Sequence, residues 1–101
     1  MSEETKVRIA DEKNGETYAL VEMFYAGDKV KVICEDGKER MARIAGKIAR
    51  KFWVKVGDVV LIKKWPFMDD RCDIIHVYTQ SEANWLRKNG YIKNLPNEPR
   101  I

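Results

Sequence analysis

KVKVICEDGKERMARI, residues 29–44, decides how the rest of the chain is read. Its first half alternates, with Val30 and Val32 on one face and Lys29 and Lys31 on the other, the period of a half-buried strand. Asp36-Gly37 follows, a pair that closes tight hairpins because it accepts backbone angles that most residues resist. The stretch from about Lys38 to Ile44 therefore folds back as a second strand beside the first. A hairpin in the middle of a 101-residue chain belongs to one core, because a single core of ordinary size needs roughly 100 to 150 residues.

Working outward toward the N-terminus, Thr17, Tyr18, Leu20, Val21, Phe24 and Tyr25 supply the aromatic and β-branched content of another strand, from Glu16 until Ala26-Gly27-Asp28 breaks it. Residues 1–15 carry no sustained apolar period and are expected to form a flexible tail. On the other side, residues 46–53 place Ile48 and Phe52 four apart among Lys47, Arg50 and Lys51, which fits one helical turn or a structured loop. After the Gly57-Asp58 turn, Val59-Val60-Leu61-Ile62 is an unbroken apolar run, as expected of a strand buried on both faces or sharply curved. Lys63 to Asp70 reads as a loop anchored by Trp65 and Phe67, since Pro66 cannot donate to a ladder, and Cys72 to Tyr78 as the fifth strand. Thr79 and Glu82 then have the spacing of a capping box, so a helix of about three turns starts there and carries Ala83, Trp85 and Leu86 until Asn89-Gly90 ends it. The fold class is all-β with a C-terminal helix: a five-stranded Greek-key barrel of the OB type, S1-like, with an SH3-like barrel as the rival. The boundaries are a barrel over 16–78, the helix and its packing segment over 79–93, and a flexible tail over 94–101.

The net charge is only +3, but it is unevenly placed. Between Lys38 and Lys55 stand seven basic residues (Lys38, Arg40, Arg43, Lys47, Arg50, Lys51 and Lys55) against one acid, Glu39, so the rest of the chain is mildly acidic. Such asymmetry points to a polyanion as partner. Several cations on one surface release condensed counterions from phosphates, and a ring beside them offers a base a stacking platform. Trp53 or Phe52 would be that ring, although core packing explains Trp53 equally well. Lys63, Lys64 and Trp65 form a second basic and aromatic group where the loop between strands four and five of such barrels commonly meets its ligand.

Other chemistry is poorly supported. His76 has no nucleophile or carboxylate at a catalytic spacing, and Asp69, Asp70 and Asp73 lack the remainder of a calcium loop. Gly46-Lys47 lacks the first glycine and the hydroxyl residue of a phosphate loop. Cys34 and Cys72 have no CxxC partner and read as buried free thiols, as in a reducing compartment. No catalytic residue, metal site or cofactor is expected. No apolar run exceeds four residues, the length of 59–62, so neither a membrane span nor a secretory leader is expected, and a cytoplasmic monomer is.

The stretch ARIAGKIARKFWVKVGDVVLIKKW (42–65), followed by RCDIIHVY (71–78) and SEANWLRKNGY (81–91), resembles the translation initiation factor 1A family of archaea and eukaryotes over most of residues 17–92. The resemblance implies a non-catalytic protein that binds small-subunit rRNA near the A-site decoding centre. There it would promote initiator tRNA binding and initiation complex assembly with initiation factors 1, 2 and 5B. Its RNA-contacting positions fall on Arg43, Gly46-Lys47, Arg50 and Lys51, with Trp53 at the aromatic position; charge alone adds Arg40, Lys63 and Lys64. The helix favours the archaeal or eukaryotic branch over the bacterial one, and the missing long acidic extension favours archaea. Ala45 and Ala49 stand where relatives tend to carry proline or further basic residues, so this connector is less charged than is usual. A free RNA chaperone and a protein-interaction barrel that meets an acidic partner are the alternatives from the residues alone.

Overall fold

The elements run β1 (Glu16–Phe24), β2 (Lys29–Cys34), β3 (Glu39–Ile44), β4 (Val59–Lys64), β5 (Arg71–Val77) and α1 (Gln80–Lys88) in a computed structural model that describes residues 7–25, 27–44, 46 and 54–95. The central hairpin forms as its sequence predicts, with Val32 opposite Arg40 and Lys31 opposite Met41. Gly37 sits at φ 87° and donates its N–H to the Cys34 carbonyl at 2.8 Å, while the Asp36 carboxylate accepts from the Lys38 N–H at 3.0 Å. Only glycine adopts that backbone angle without steric cost.

The strands close into a barrel in the order β1-β2-β3-β5-β4, antiparallel throughout except where β3 runs parallel to β5. Closure leaves no unpaired sheet edge. The apolar run of β4 is buried on both faces, for a reason visible in the packing. Val60 and Ile62 point into the barrel with Val30, Val32 and Ile74, whereas Val59 and Leu61 meet Leu86 of α1 outside it. Helix α1 is thus a lid on the outer face of β1 and β4. Thr79 accepts from the Glu82 N–H at 3.1 Å and Glu82 accepts from the Thr79 N–H at 2.9 Å, the reciprocal box that starts the helix. Gly90, at φ 83°, follows its C-cap Asn89.

The limits of β4, of β5 and of both terminal segments differ from expectation. Strand β4 runs on through Lys63 and Lys64, because the Lys64 N–H reaches the Gly15 carbonyl at 2.9 Å and the Trp65 N–H reaches the Arg71 carbonyl at 3.1 Å. The loop is therefore shorter, and β5 begins at Arg71 and ends at Val77. At the N-terminal end, residues 7–15 lie against the barrel rather than forming a tail: Val7 and Ala10 pack on the outer core and a single 3-10 turn spans Glu12–Asn14. The cause is a pair of buried tyrosines whose hydroxyls need partners. Tyr18 accepts from the Ala10 N–H at 2.9 Å and Tyr78 donates to the Arg8 carbonyl at 2.6 Å. At the other end the packed segment extends to Leu95, which is 4% exposed, while the Lys93 and Asn94 N–H groups donate to the Glu35 carboxylate.

Candidate nucleic-acid interface

Arg40 is the one charged residue in the core among the described residues, 4% exposed. It sits on β3 with its side chain directed into the end of the barrel beside Cys34. Its Nε donates to the Asp69 carbonyl at 2.7 Å, and its terminal nitrogens reach both oxygens of Asp36 at 3.2 and 3.1 Å and Asp69 Oδ1 at 3.2 Å. Burial works against the charge, but Asp36, then Cys34 and Asp69, outweigh it and hold the guanidinium above its usual range. Asp36 in turn resists burial through Arg40 and the Lys38 N–H, and its carboxyl lies below the ordinary value. Asp69 is lowered by Lys38 first and then Arg40, and a Lys38–Asp69 ion pair completes the group. This clamp ties the β2–β3 turn to the β4–β5 loop. Arg40, expected from charge as an RNA contact, is buried here, and every guanidinium nitrogen faces an acceptor of the chain itself, as in an internal tether.

Arg43 also has an acidic neighbour but remains reachable. Its Nε lies 3.1 Å from Asp73 Oδ1, its side chain is 52% exposed, and its guanidinium carbon stands 5.4 Å over the ring of Trp65. Cation–π contact of this kind holds the fork flat without removing its outward N–H groups. Lys63 is exposed and Lys64 half-buried on adjacent positions of β4, and Lys64 is near enough to Asp36 to help lower its carboxyl. Lys63 faces Asp73 across the β4–β5 ladder, as Arg43 does across β3–β5, so the two cations flank one carboxylate. Phe67 does not anchor its loop: it is 93% exposed, whereas Trp65 is half-buried beneath Arg43.

Lys47, Arg50, Lys51 and Trp53 lie outside the described residues. The connector that carries them leaves the barrel at Ile44 and returns at Val54, and both of these side chains pack on the barrel core. The Ile44 N–H is held by the Asp28 carbonyl at 2.7 Å, and beyond Val54 the Lys55 N–H is held by the Asp58 carboxylate at 2.8 Å. Both ends of the basic stretch are thus fixed to one rigid body. The charge-dense segment divides in two: Lys38, Arg40 and Arg43 meet carboxylates of the chain, while the connector itself contains no acid. What sequence reasoning missed are the partners Asp36, Asp69 and Asp73. Only Asp36, four residues before Arg40, gave a local signal.

The profile of the family described as translation initiation factor 1A / IF-1 matches residues 4–100. The chain belongs to that family. It is 44% identical over 88 residues to the translation initiation factor 1A of Archaeoglobus fulgidus, covering 87% of this chain and 91% of that protein. With the factor of Methanococcus aeolicus it shares 43% identity over 90 residues, covering 88% of this chain and 86% of the relative. These relatives are archaeal, the branch to which the sequence pointed. The solution structure of translation initiation factor 1 from the Wolbachia endosymbiont of Brugia malayi superposes with a TM-score of 0.51 at 22% identity, covering 70% of this chain and 88% of that one. That likeness is one of fold, and with the closed five-strand order it identifies the barrel as an OB-fold.

Proposed function

We propose that the chain is a non-catalytic initiation factor that binds small-subunit rRNA near the A-site decoding centre and promotes initiator tRNA binding and complex assembly with initiation factors 1, 2 and 5B. It acts there as a cytoplasmic monomer without a cofactor. The observation that carries this reading is the acid-free connector over 45–53, anchored at both ends by the core residues Ile44 and Val54. A fixed frame lowers the ordering cost of presenting several cations to folded RNA at once. Lys47, Arg50 and Lys51 take phosphates, Trp53 meets an unstacked base, and Arg43, Lys63 and Lys64 extend the contact along the barrel. Membership of the initiation factor family supports the ribosomal address over a free RNA chaperone or a protein-binding barrel.

Binding to isolated small subunits should be saturable and fall with salt, and Lys47→Ala with Lys51→Ala should weaken it, with a salt slope reduced by roughly one to two. Chemical footprinting should show protection confined to the decoding region. Unchanged binding by the double variant would remove the connector from the contact surface, and protection spread over unrelated rRNA would remove the address.

A further inference from the structure

Asn-Gly occurs twice in the chain, at Asn14-Gly15 and at Asn89-Gly90. The pair is prone to modify itself, because a glycine has no side chain to keep its backbone nitrogen from the neighbouring amide carbon. We propose that Asn89-Gly90, at the end of α1, is a site of covalent deamidation gated by the helix cap, while the fold protects Asn14-Gly15. The proposal stands apart from the RNA-binding reading.

The reaction needs only water. A solvent hydroxide takes the proton of the Gly90 nitrogen, which attacks Asn89 Cγ. A new C–N bond forms, the Cγ–Nδ2 bond breaks, and the nitrogen leaves as ammonia after taking a proton from water. Water then opens the five-membered imide at either carbonyl to give aspartate or isoaspartate. That ring closes only when the Gly90 nitrogen eclipses Asn89 Cβ. In the folded chain Asn89 sits at ψ 9°, where it eclipses the nitrogen of Asn89 instead. The cap holds it there. The Gly90 N–H donates to the Arg87 carbonyl at 3.2 Å, the Tyr91 N–H to the Leu86 carbonyl at 2.9 Å, and Asn89 Nδ2 to the Trp85 carbonyl at 2.8 Å. This is the pairing of a Schellman ending, with Gly90 at φ 83° and the rings of Trp85 and Tyr91 stacked at 5.7 Å as its apolar clasp. Opening the last turn frees both reacting groups together.

The two pairs differ in what must open. Asn89 and Gly90 are exposed and end a nine-residue helix, the place where fraying concentrates. Gly15 is stitched to the barrel: its carbonyl accepts from the Lys64 N–H at 2.9 Å, its N–H donates to the Glu12 carbonyl at 3.1 Å, and Glu16 follows opposite Lys63 in the β1–β4 ladder. Asn14 Nδ2 is held by Asp11 Oδ2 at 2.9 Å. Modification at Asn89 also undoes the cap that gates it. A carboxylate replaces the donor to Trp85 and sets negative charge at the helix end that prefers cations. Isoaspartate lengthens the backbone as well, so Tyr91 loses either its bond to Leu86 or its stack on Trp85, and the lid loosens toward Ile92.

The test incubates the full chain in oxygen-18 water at neutral pH and digests it with trypsin in ordinary water, so that only conversion before digestion carries label. Cleavage at lysine yields peptides 14–29 and 89–93, each beginning with one of the asparagines. In urea the two should label alike. In the folded chain 89–93 should lead 14–29 by roughly tenfold or more, the factor that about 1.4 kcal/mol between opening a helix end and opening a ladder implies. Tyr91→Ala, at an exposed position, should keep the parent's circular dichroism and speed labelling of 89–93 roughly 2- to 12-fold, as about 0.5–1.5 kcal/mol of ring pairing implies. Asn89→Gln, which would need a six-membered ring, should leave that peptide unlabelled. Asn89→Asp, the product, should melt roughly 4–8 °C below the parent. Label in 14–29 as early as in 89–93, a difference already present in urea, or a rate indifferent to Tyr91→Ala would overturn the inference.

Discussion

Replacing Arg40 with alanine separates a structural cation from an RNA-binding one. The side chain is 2% exposed and makes four hydrogen bonds, to Asp36, Asp69 and the Asp69 carbonyl. Breaking a fully buried ion pair from one side typically costs about 3–5 kcal/mol, because the partner is stranded without water. Here Asp36 and Asp69 are 46% and 66% exposed and rehydrate once the guanidinium is gone, so that figure is an upper bound. What remains is the lost burial of the aliphatic stem, an emptied barrel end and an unsatisfied carbonyl, together about 2–3 kcal/mol. In a domain of this size that lowers the melting midpoint by roughly 10–20 °C. Urea unfolding followed by circular dichroism measures it, and Arg40→Lys should recover less than half, since a point charge cannot span both carboxylates. Below its transition, folded Arg40→Ala should bind small subunits nearly as well as the parent. Unchanged stability with lost binding would reverse the assignment and return Arg40 to the RNA surface.

Further consequences follow from the same packing. Asp36 and Asp69 have folded pKa values below their unfolded ones, so their contribution is complete above the unfolded carboxyl pKa of about 4 and is lost as pH falls through the lower folded values. The melting midpoint should therefore drop steeply below about pH 4, and more shallowly in Asp36→Asn with Asp69→Asn; an equal drop would place the acid-sensitive groups elsewhere. Tyr78→Phe removes the donor to the Arg8 carbonyl and should cost about 1 kcal/mol, with faster amide exchange concentrated in residues 7–15. Exchange that rises uniformly would mean the segment is not a separate unit. Thr79→Ala should cost about 1 kcal/mol by removing the capping hydroxyl, measurable in the same urea assay, and no change would show the box to be redundant. Burial pushes the Cys72 thiol up to about 12 and raises Cys34 as well, so neither should react with a thiol reagent at neutral pH faster than the chain unfolds.

The fold was legible where local chemistry and burial agree. Alternation at Lys29–Val32 with Asp36-Gly37 specified the hairpin, the Thr79–Glu82 box specified the helix start, and the run Val59–Ile62 specified a strand covered on both sides. The boundary of β4 was not legible, because it depends on Gly15 and Arg71 carbonyls supplied by remote segments. The strap over residues 7–15 carries no local signal for the same reason: its partners are two tyrosine hydroxyls, 8 and 70 residues away from the groups they bond. A polar stretch without apolar period looks like a tail until something buried needs its backbone.

The site shows the limit more sharply. A linear count of cations treats Arg40, Arg43 and Lys47 alike, yet folding gives them different partners. Asp69 lies 29 residues from Arg40 and Asp73 lies 30 residues from Arg43, and both approach only because β5 runs parallel beside β3. Parallel pairing of those two strands is itself a consequence of closing the barrel, so the topology decides which arginines are neutralised. The same ladder withdraws one arginine and leaves the other reachable: Arg40 is enclosed between Asp36 and Asp69, whereas Arg43 beside Asp73 keeps half of its side chain in solvent. A linear count of cations cannot separate these two arginines, because the carboxylates that meet them and the depth at which each sits are set only when β3 and β5 come together.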